Sequence, residues 1–293
     1  VSESCEYNWS FHKHKPNIAL IHNIEEDHLD IYGSIDSIIK SFKKFAELIP
    51  DRSEGGRLLI SHDNAYRNQV SGNLKCYIET YGFNPESDWQ VVFDSKARRT
   101  GLLKNGIWAA NWSNLMPGAH NALNASAAAI LSHRLGIDWD LICSSLESFS
   151  GLERRMERIG NIDFGKGKAV IYDDYAHHPT EIDHTLRALR AWEKPNRLLC
   201  VFQPHQHSRT RFLLESFATS FKEADLVIVP NIYFVRDSKS DQESVNAKDL
   251  VKALQLQDTN AIFYPDFNKI ITCDFRILIF FIKRFIYVYG SLM

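Results

Sequence analysis

Apolar and polar positions follow two rhythms along this chain. Between 34 and 48, apolar side chains fall at Ile35, Ile38, Ile39, Phe42, Phe45 and Ala46, with Ile49 just beyond. Steps of three and four predict a helix with one buried face. Short apolar runs at 17–23, 58–60, 77–83 and 90–93 predict strands. Asn105-Gly106 sits between Leu102-Leu103 and Ile107-Trp108, the strongest short hairpin signal, so this region is partly antiparallel. An alanine-rich helix is expected over 121–135, closed by Gly136, with another over 138–148. Phe149-Ser150-Gly151 then marks a domain boundary. Beyond it, strands at 169–172, 198–202, 226–229 and 261–263 alternate with helices at 180–192, 210–222 and 246–254. That alternation predicts an α/β protein ending in a parallel, doubly wound sheet.

The 293 residues are 44% hydrophobic and 24% charged, as in a soluble globular protein. A net charge of −2 gives no basic field for nucleic acid. Five scattered cysteines without a C-x-x-C pair fit reduced thiols in a cytoplasm. The segment 275–289 is rich in Ile and Phe but broken by Arg276, Lys283 and Arg284, too charged for a membrane span. A buried C-terminal element, or residues foreign to the fold, is preferred there over a membrane-surface helix.

Candidate chemistry concentrates at two strand ends. Asp173-Asp174-Tyr175-Ala176-His177-His178-Pro179-Thr180-Glu181 follows one strand, and Gln203-Pro204-His205-Gln206-His207-Ser208-Arg209-Thr210 follows the next. Open α/β sheets bind ligands at such ends. The histidines could hold zinc, but adjacent ones on an extended chain face opposite ways, and His178 beside Pro179 reads as structural. Arg209 could fork onto a carboxylate or phosphate, or make a surface ion pair. Asp27-His28-Leu29-Asp30 could bind a divalent ion, or Asp27 could cap a helix. Arg154-Arg155 could meet phosphate or lie solvated. Asn121 and Asn124 could read a base edge or cap their helix. Gly165-Lys166-Gly167-Lys168 reads as a turn, and no Walker A, G-x-G-x-x-G or G-x-S-x-G sequence is present.

In chain order, six segments resemble the Mur ligases. They are Glu3-Ser4-Cys5-Glu6, Asn23 to Asp30, Gly118 to Ala125, Phe149 to Arg155, Asp173 to Glu181, and Gln203 to Thr210. One segment would be weak; six in order are specific, and they cover the chain from residue 1 to about 270. The resemblance implies part of a central ATP-binding domain over 1–151, a Rossmann-like ligase domain over 152–271, and an atypical tail over 272–293. It implies a cytoplasmic, ADP-forming ligase using ATP and Mg²⁺. UDP-N-acetylmuramate and L-alanine would be its substrates, joined through an acyl phosphate in peptidoglycan synthesis. By resemblance Glu3 and His28 take the Mg²⁺ positions. Asn121, Asn124, Arg154, Arg155 and Asp174 take nucleotide positions. His177, Arg209 and His205 take catalytic positions, with Tyr175 and Ser208 joining His177 and Arg209 at the substrate.

Departures accompany the resemblance. The family carries a UDP-sugar domain and a Gly-Lys-Thr phosphate loop upstream of the position matching Glu3, and neither lies in this sequence. Gln206 stands where the family often has Arg. Ile270 to Asp274 leads into a basic, aromatic tail rather than a Gly-Ala-Gly-Asp-like turn. The expectation is an incomplete, inactive piece from a truncated or frame-shifted reading frame. A metal-dependent hydrolase built on the Asp/His clusters and a non-catalytic nucleotide-binding remnant remain open.

Overall fold

The computed structural model describes residues 1–163, 168–234 and 237–265, and the backbone of 281–282 and 286–290. The chain forms two compact units, Val1–Leu115 with His120–Phe149, and Met116–Ala119 with Ser150–Met293.

The first unit opens with a 3-10 helix, Tyr7–Lys13. Next come β1 (Ile18–Ile21), α1 (Leu29–Tyr32), α2 (Ile35–Ala46), β2 (Arg57–Ser61), α3 (Arg67–Ser71) and β3 (Tyr77–Gly82). β4 (Trp89–Asp94), β5 (Arg99–Lys104), β6 (Ile107–Ser113), α4 (Ala119–Arg134) and α5 (Trp139–Ser148) complete it. The strands lie in the order β1-β2-β3-β4-β5-β6. The first four run parallel, and β4, β5 and β6 alternate in direction.

Both faces of this sheet are covered, which is why β2 reads as an unbroken apolar run. Leu58 and Ile60 join Phe11, Ile38, Ile39 and Phe45 in one core. Leu59, pointing the other way, joins Val91, Leu102, Trp112 and Ile130 in another. Ser34 caps α2 by accepting from the Ser37 N–H. At the β5–β6 turn both Asn105 (φ +52°) and Gly106 (φ +78°) are left-handed, the geometry such hairpins require. A Cβ on Gly101 would come 2.3 Å from the Trp108 ring, so only glycine lets that ring lie on the strand.

The second unit contains β7 (Glu157–Asp163), β8 (Lys168–Asp174), α6 (Pro179–Glu193), β9 (Arg197–Phe202), α7 (His207–Phe212) and α8 (Leu214–Thr219). It continues with β10 (Leu226–Val229), α9 (Lys239–Ser244), α10 (Ala247–Gln255) and β11 (Ala261–Phe263). β9, β10 and β11 are parallel neighbours. β12 (Phe281–Ile282) lies parallel between β8 and β9, and β13 (Ile286–Gly290) runs antiparallel to both. Leu186 and Leu189 of α6, Phe217 of α8 and Leu250 and Leu254 of α10 pack with Leu199, Val201 and Val227 into one core.

Three features differ from the sequence reading. The helix expected over 210–222 begins earlier and is two helices, meeting at Leu213 (φ −106°, ψ 18°). β7, paired antiparallel with β8, was not anticipated. Its side chains are mostly exposed or half-buried, so it lacks the apolar run that marks β8. Tyr7–Lys13 forms 3-10 turns kinked at the left-handed Asn8 and Trp9, which no apolar periodicity predicts. The turn read at 165–167 lies outside the described residues. So does most of the tail over 272–293, of which the described part is strand. Among the described residues no helix is long and apolar enough to cross a membrane.

Candidate functional site

In the first unit the chemistry gathers behind β1. His28 takes a left-handed conformation (φ +51°) at the start of α1, and its N–H donates to Asp27 Oδ1 at 2.7 Å. That turn points the imidazole at two carboxylates, with Nε2 at 3.4 Å from Glu6 and 3.7 Å from Asp27. The Tyr7 ring stands edge-on to it at 5.0 Å. The hydrogen bond to His28 holds the Glu6 carboxyl below its usual range. One ligand atom from each of Glu6, Asp27 and His28 lies within 4.8 Å of the others. Mg²⁺ is commonly held by one or two carboxylates and waters, so this donor set fits a divalent ion. The metal pair expected from the sequence was Glu3 with His28. Glu3 is exposed, and the 3-10 helix that follows it carries Glu6 to the imidazole instead. On α4, Asn121 is half-buried and Asn124 exposed, one turn apart.

In the second unit the two polar segments leave the C-terminal ends of β8 and β9. Asp174 is 4% exposed. Its oxygens accept from the Met156 and Ala176 N–H groups, both at 2.7 Å. Burial pushes its carboxyl up to about 6 despite those donors. Asp174 thus braces the turn around it. At its neighbour Asp173, Oδ1 is buried without a hydrogen-bond partner.

Tyr175 is held by its backbone and its ring. Its N–H donates to the Arg154 carbonyl at 2.8 Å. The Arg154 and Arg155 guanidinium groups lie 4.7 and 5.4 Å from its ring centre, and the His177 ring meets it edge-on at 5.2 Å. Both arginines are exposed. Glu181 accepts from the N–H groups of His177 (2.9 Å) and His178 (3.1 Å), while His178 Nδ1 accepts from Thr180 N–H at 3.3 Å. These bonds form a capping box, and Pro179 fixes the first helical φ. His178 is therefore the structural member of the pair, and His177 faces Tyr175. Exposed guanidinium groups of this kind could meet an anionic ligand such as a phosphate.

Behind β9, Gln206 is left-handed (φ +70°), and α7 starts immediately after it. The His205 ring stacks on Tyr233 at 5.6 Å. Ser208 and Arg209 are buried, Arg209 at 9% exposed. Asp237 holds the first turn of α7; sequence reasoning missed it, because it lies some thirty residues away in no recognisable motif. The histidines considered for zinc have separate partners. His178 caps α6, His177 meets Tyr175, His205 meets Tyr233 and His207 meets Asp237.

Residues 4–132 match the family model of the Mur ligase middle domain, and residues 154–278 match the Mur ligase glutamate ligase domain. The chain is 37% identical over 275 residues to the UDP-N-acetylmuramate–L-alanine ligase of Caldanaerobacter subterraneus subsp. tengcongensis. It is 38% identical over 275 residues to the enzyme of that name from Alkaliphilus metalliredigens. Each match covers 92% of this chain, which spans 58% and 57% of the two relatives. Among solved structures, the UDP-N-acetylmuramate–alanine ligase of Thermotoga maritima has the same fold. Its TM-score is 0.68 at 23% identity, over 94% of this chain and 56% of that one. A murein peptide ligase from Psychrobacter arcticus gives a TM-score of 0.59 at 22% identity, over 93% and 55%.

Proposed function

The chain belongs to the Mur ligases, and we propose that it serves the step joining L-alanine to UDP-N-acetylmuramate at the expense of ATP. The carrying observation is that relatives 37% and 38% identical through both domains bear that name. In this reading the lactyl carboxylate of the sugar nucleotide takes the γ-phosphoryl group of ATP. The amine of L-alanine then attacks the acyl carbon. A C–N bond forms, the C–O bond to phosphate breaks, the amine loses a proton, and ADP and phosphate leave.

Such chemistry asks the protein for alignment and charge neutralisation rather than for a covalent nucleophile. Arg154 and Arg155, exposed and packed on Tyr175, supply cationic charge for phosphate. Asp174 keeps the turn carrying Tyr175 and His177 in one shape. Arg209 would take the carboxylate of the amino acid, with His177, His205 and Ser208 beside it. Glu6, Asp27 and His28 would hold Mg²⁺, which would neutralise phosphate charge.

The test is ADP release by the whole gene product with ATP, UDP-N-acetylmuramate and L-alanine, each omitted in turn. Release that needs all three is the expected result. Release indifferent to L-alanine would sink the proposal. One zinc per chain retained through dialysis and lost in His177→Ala would favour a metallohydrolase.

A further inference from the structure

The loop after β9 carries His205, Ser208 and Arg209, yet its shape is fixed from elsewhere. Asp237 lies beyond β10, in the connection to α9. Its side chain has 0% of its surface exposed. One oxygen accepts from the His207 N–H at 2.8 Å and faces His207 Nδ1 at 3.2 Å. The other accepts from the Ser208 N–H and hydroxyl, both at 3.0 Å. The two N–H groups are the first of α7 and have no partner within the helix. A buried carboxylate with this many donors is strongly localised, and charge-assisted bonds are roughly twice as strong as neutral ones. The same connection is tied back by Gln206 N–H to the Tyr233 carbonyl (2.8 Å) and by Tyr233 N–H to the Pro204 carbonyl (2.9 Å). The left-handed Gln206 is costly for a non-glycine residue and persists only where its surroundings dictate it.

We propose that Asp237 is a positioning residue for the amino-acid substrate, fixing the first turn of α7 so that His205 and Arg209 keep one orientation. This rests on the ligase reading. The bonds to the donors outweigh the cost of burial and hold the Asp237 carboxyl below its usual range, so the brace is ionised throughout the neutral range.

The experiment compares wild type with Asp237→Asn and Asp237→Ala in the whole gene product. Asparagine keeps the volume and one acceptor but lacks the charge and the second oxygen. Amide hydrogen exchange at His207 and Ser208 reads the brace without any substrate, and both amides should exchange faster in each variant. In the ligase assay KM for L-alanine should rise about ten- to a hundredfold, the scale of a small misplacement, with KM for ATP within twofold of wild type. Unchanged exchange would overturn the proposal, as would faster exchange with an unchanged KM for L-alanine. Equal shifts in every KM would reduce Asp237 to a general structural role and overturn it too. A wild type that does not use L-alanine would refute the ligase reading, while amide exchange would still decide the brace.

Discussion

Burial raises both of the adjacent carboxyls Asp173 and Asp174, although Asp174 accepts from two backbone N–H groups. Asp174 is buried and hydrogen-bonded, and burial still pushes its carboxyl up to about 6 from an ordinary 3.8. A raised carboxyl contributes stability that is complete below about 3.8 and lost as pH rises through about 6. Asp174→Asn should therefore remove a downward slope of melting temperature between roughly pH 4 and pH 6. Melting curves of the two proteins at half-unit pH steps would show it, and parallel curves would refute it. The residue types of this turn were legible in the sequence, and so was the structural part played by His178, because Pro179 announces the helix start. The inward turn of Asp174 was not, since it depends on the Met156 N–H, eighteen residues earlier. Glu6 displaced Glu3 beside His28 for a related reason: the 3-10 helix that aims it has no periodic signature.

Single strands and helices gain their stability from partners in other elements. Glu79 on β3 illustrates this. It meets Lys104 of β5 at 2.9 Å, Arg134 of α4, Arg57 of β2 at 3.8 Å, and Trp89 Nε1 of β4 at 3.2 Å. Burial works against its charge, but the bonds to Arg134 and Lys104 win and hold its carboxyl down to about 2. A lowered carboxyl contributes stability that is present above its unfolded value of about 4.5 and lost as pH falls toward 2. Glu79→Gln should cost about 1–3 kcal/mol at neutral pH, the range for removing one partner of a partly buried charge group. That deficit should shrink between pH 4.5 and pH 2, as urea titrations would report. Element by element, the sequence was most readable where burial is two-sided. The strand read at 226–229 coincides with β10, buried at all four positions. The helix read at 210–222 failed at its start, because Asp237 caps α7 from outside the local sequence. β7 went unseen because an exposed edge strand need carry no apolar pattern.

For the whole molecule, the alternation of strands and helices past residue 150 made the α/β class plain, and six motifs in order pointed to the family. Neither could show that the compact units are not consecutive stretches of sequence. Met116–Ala119 belongs to the second unit, although first-unit sequence flanks it on both sides. Met116 packs against the second unit's core, and a Cβ on Gly151 would come 2.5 Å from its sulfur. Met116→Ala should therefore lower the unfolding free energy of the second unit by about 2 kcal/mol for a partly buried side chain, read as a lower urea midpoint. Probes confined to the first unit should not move.

No single cut separates this protein into its parts. A piece ending at 149 takes with it a methionine that belongs to another core. A piece beginning at 150 starts with a hole where that methionine should be. Gene dissection, domain exchange and circular permutation would each need two junctions, one on either side of a four-residue excursion.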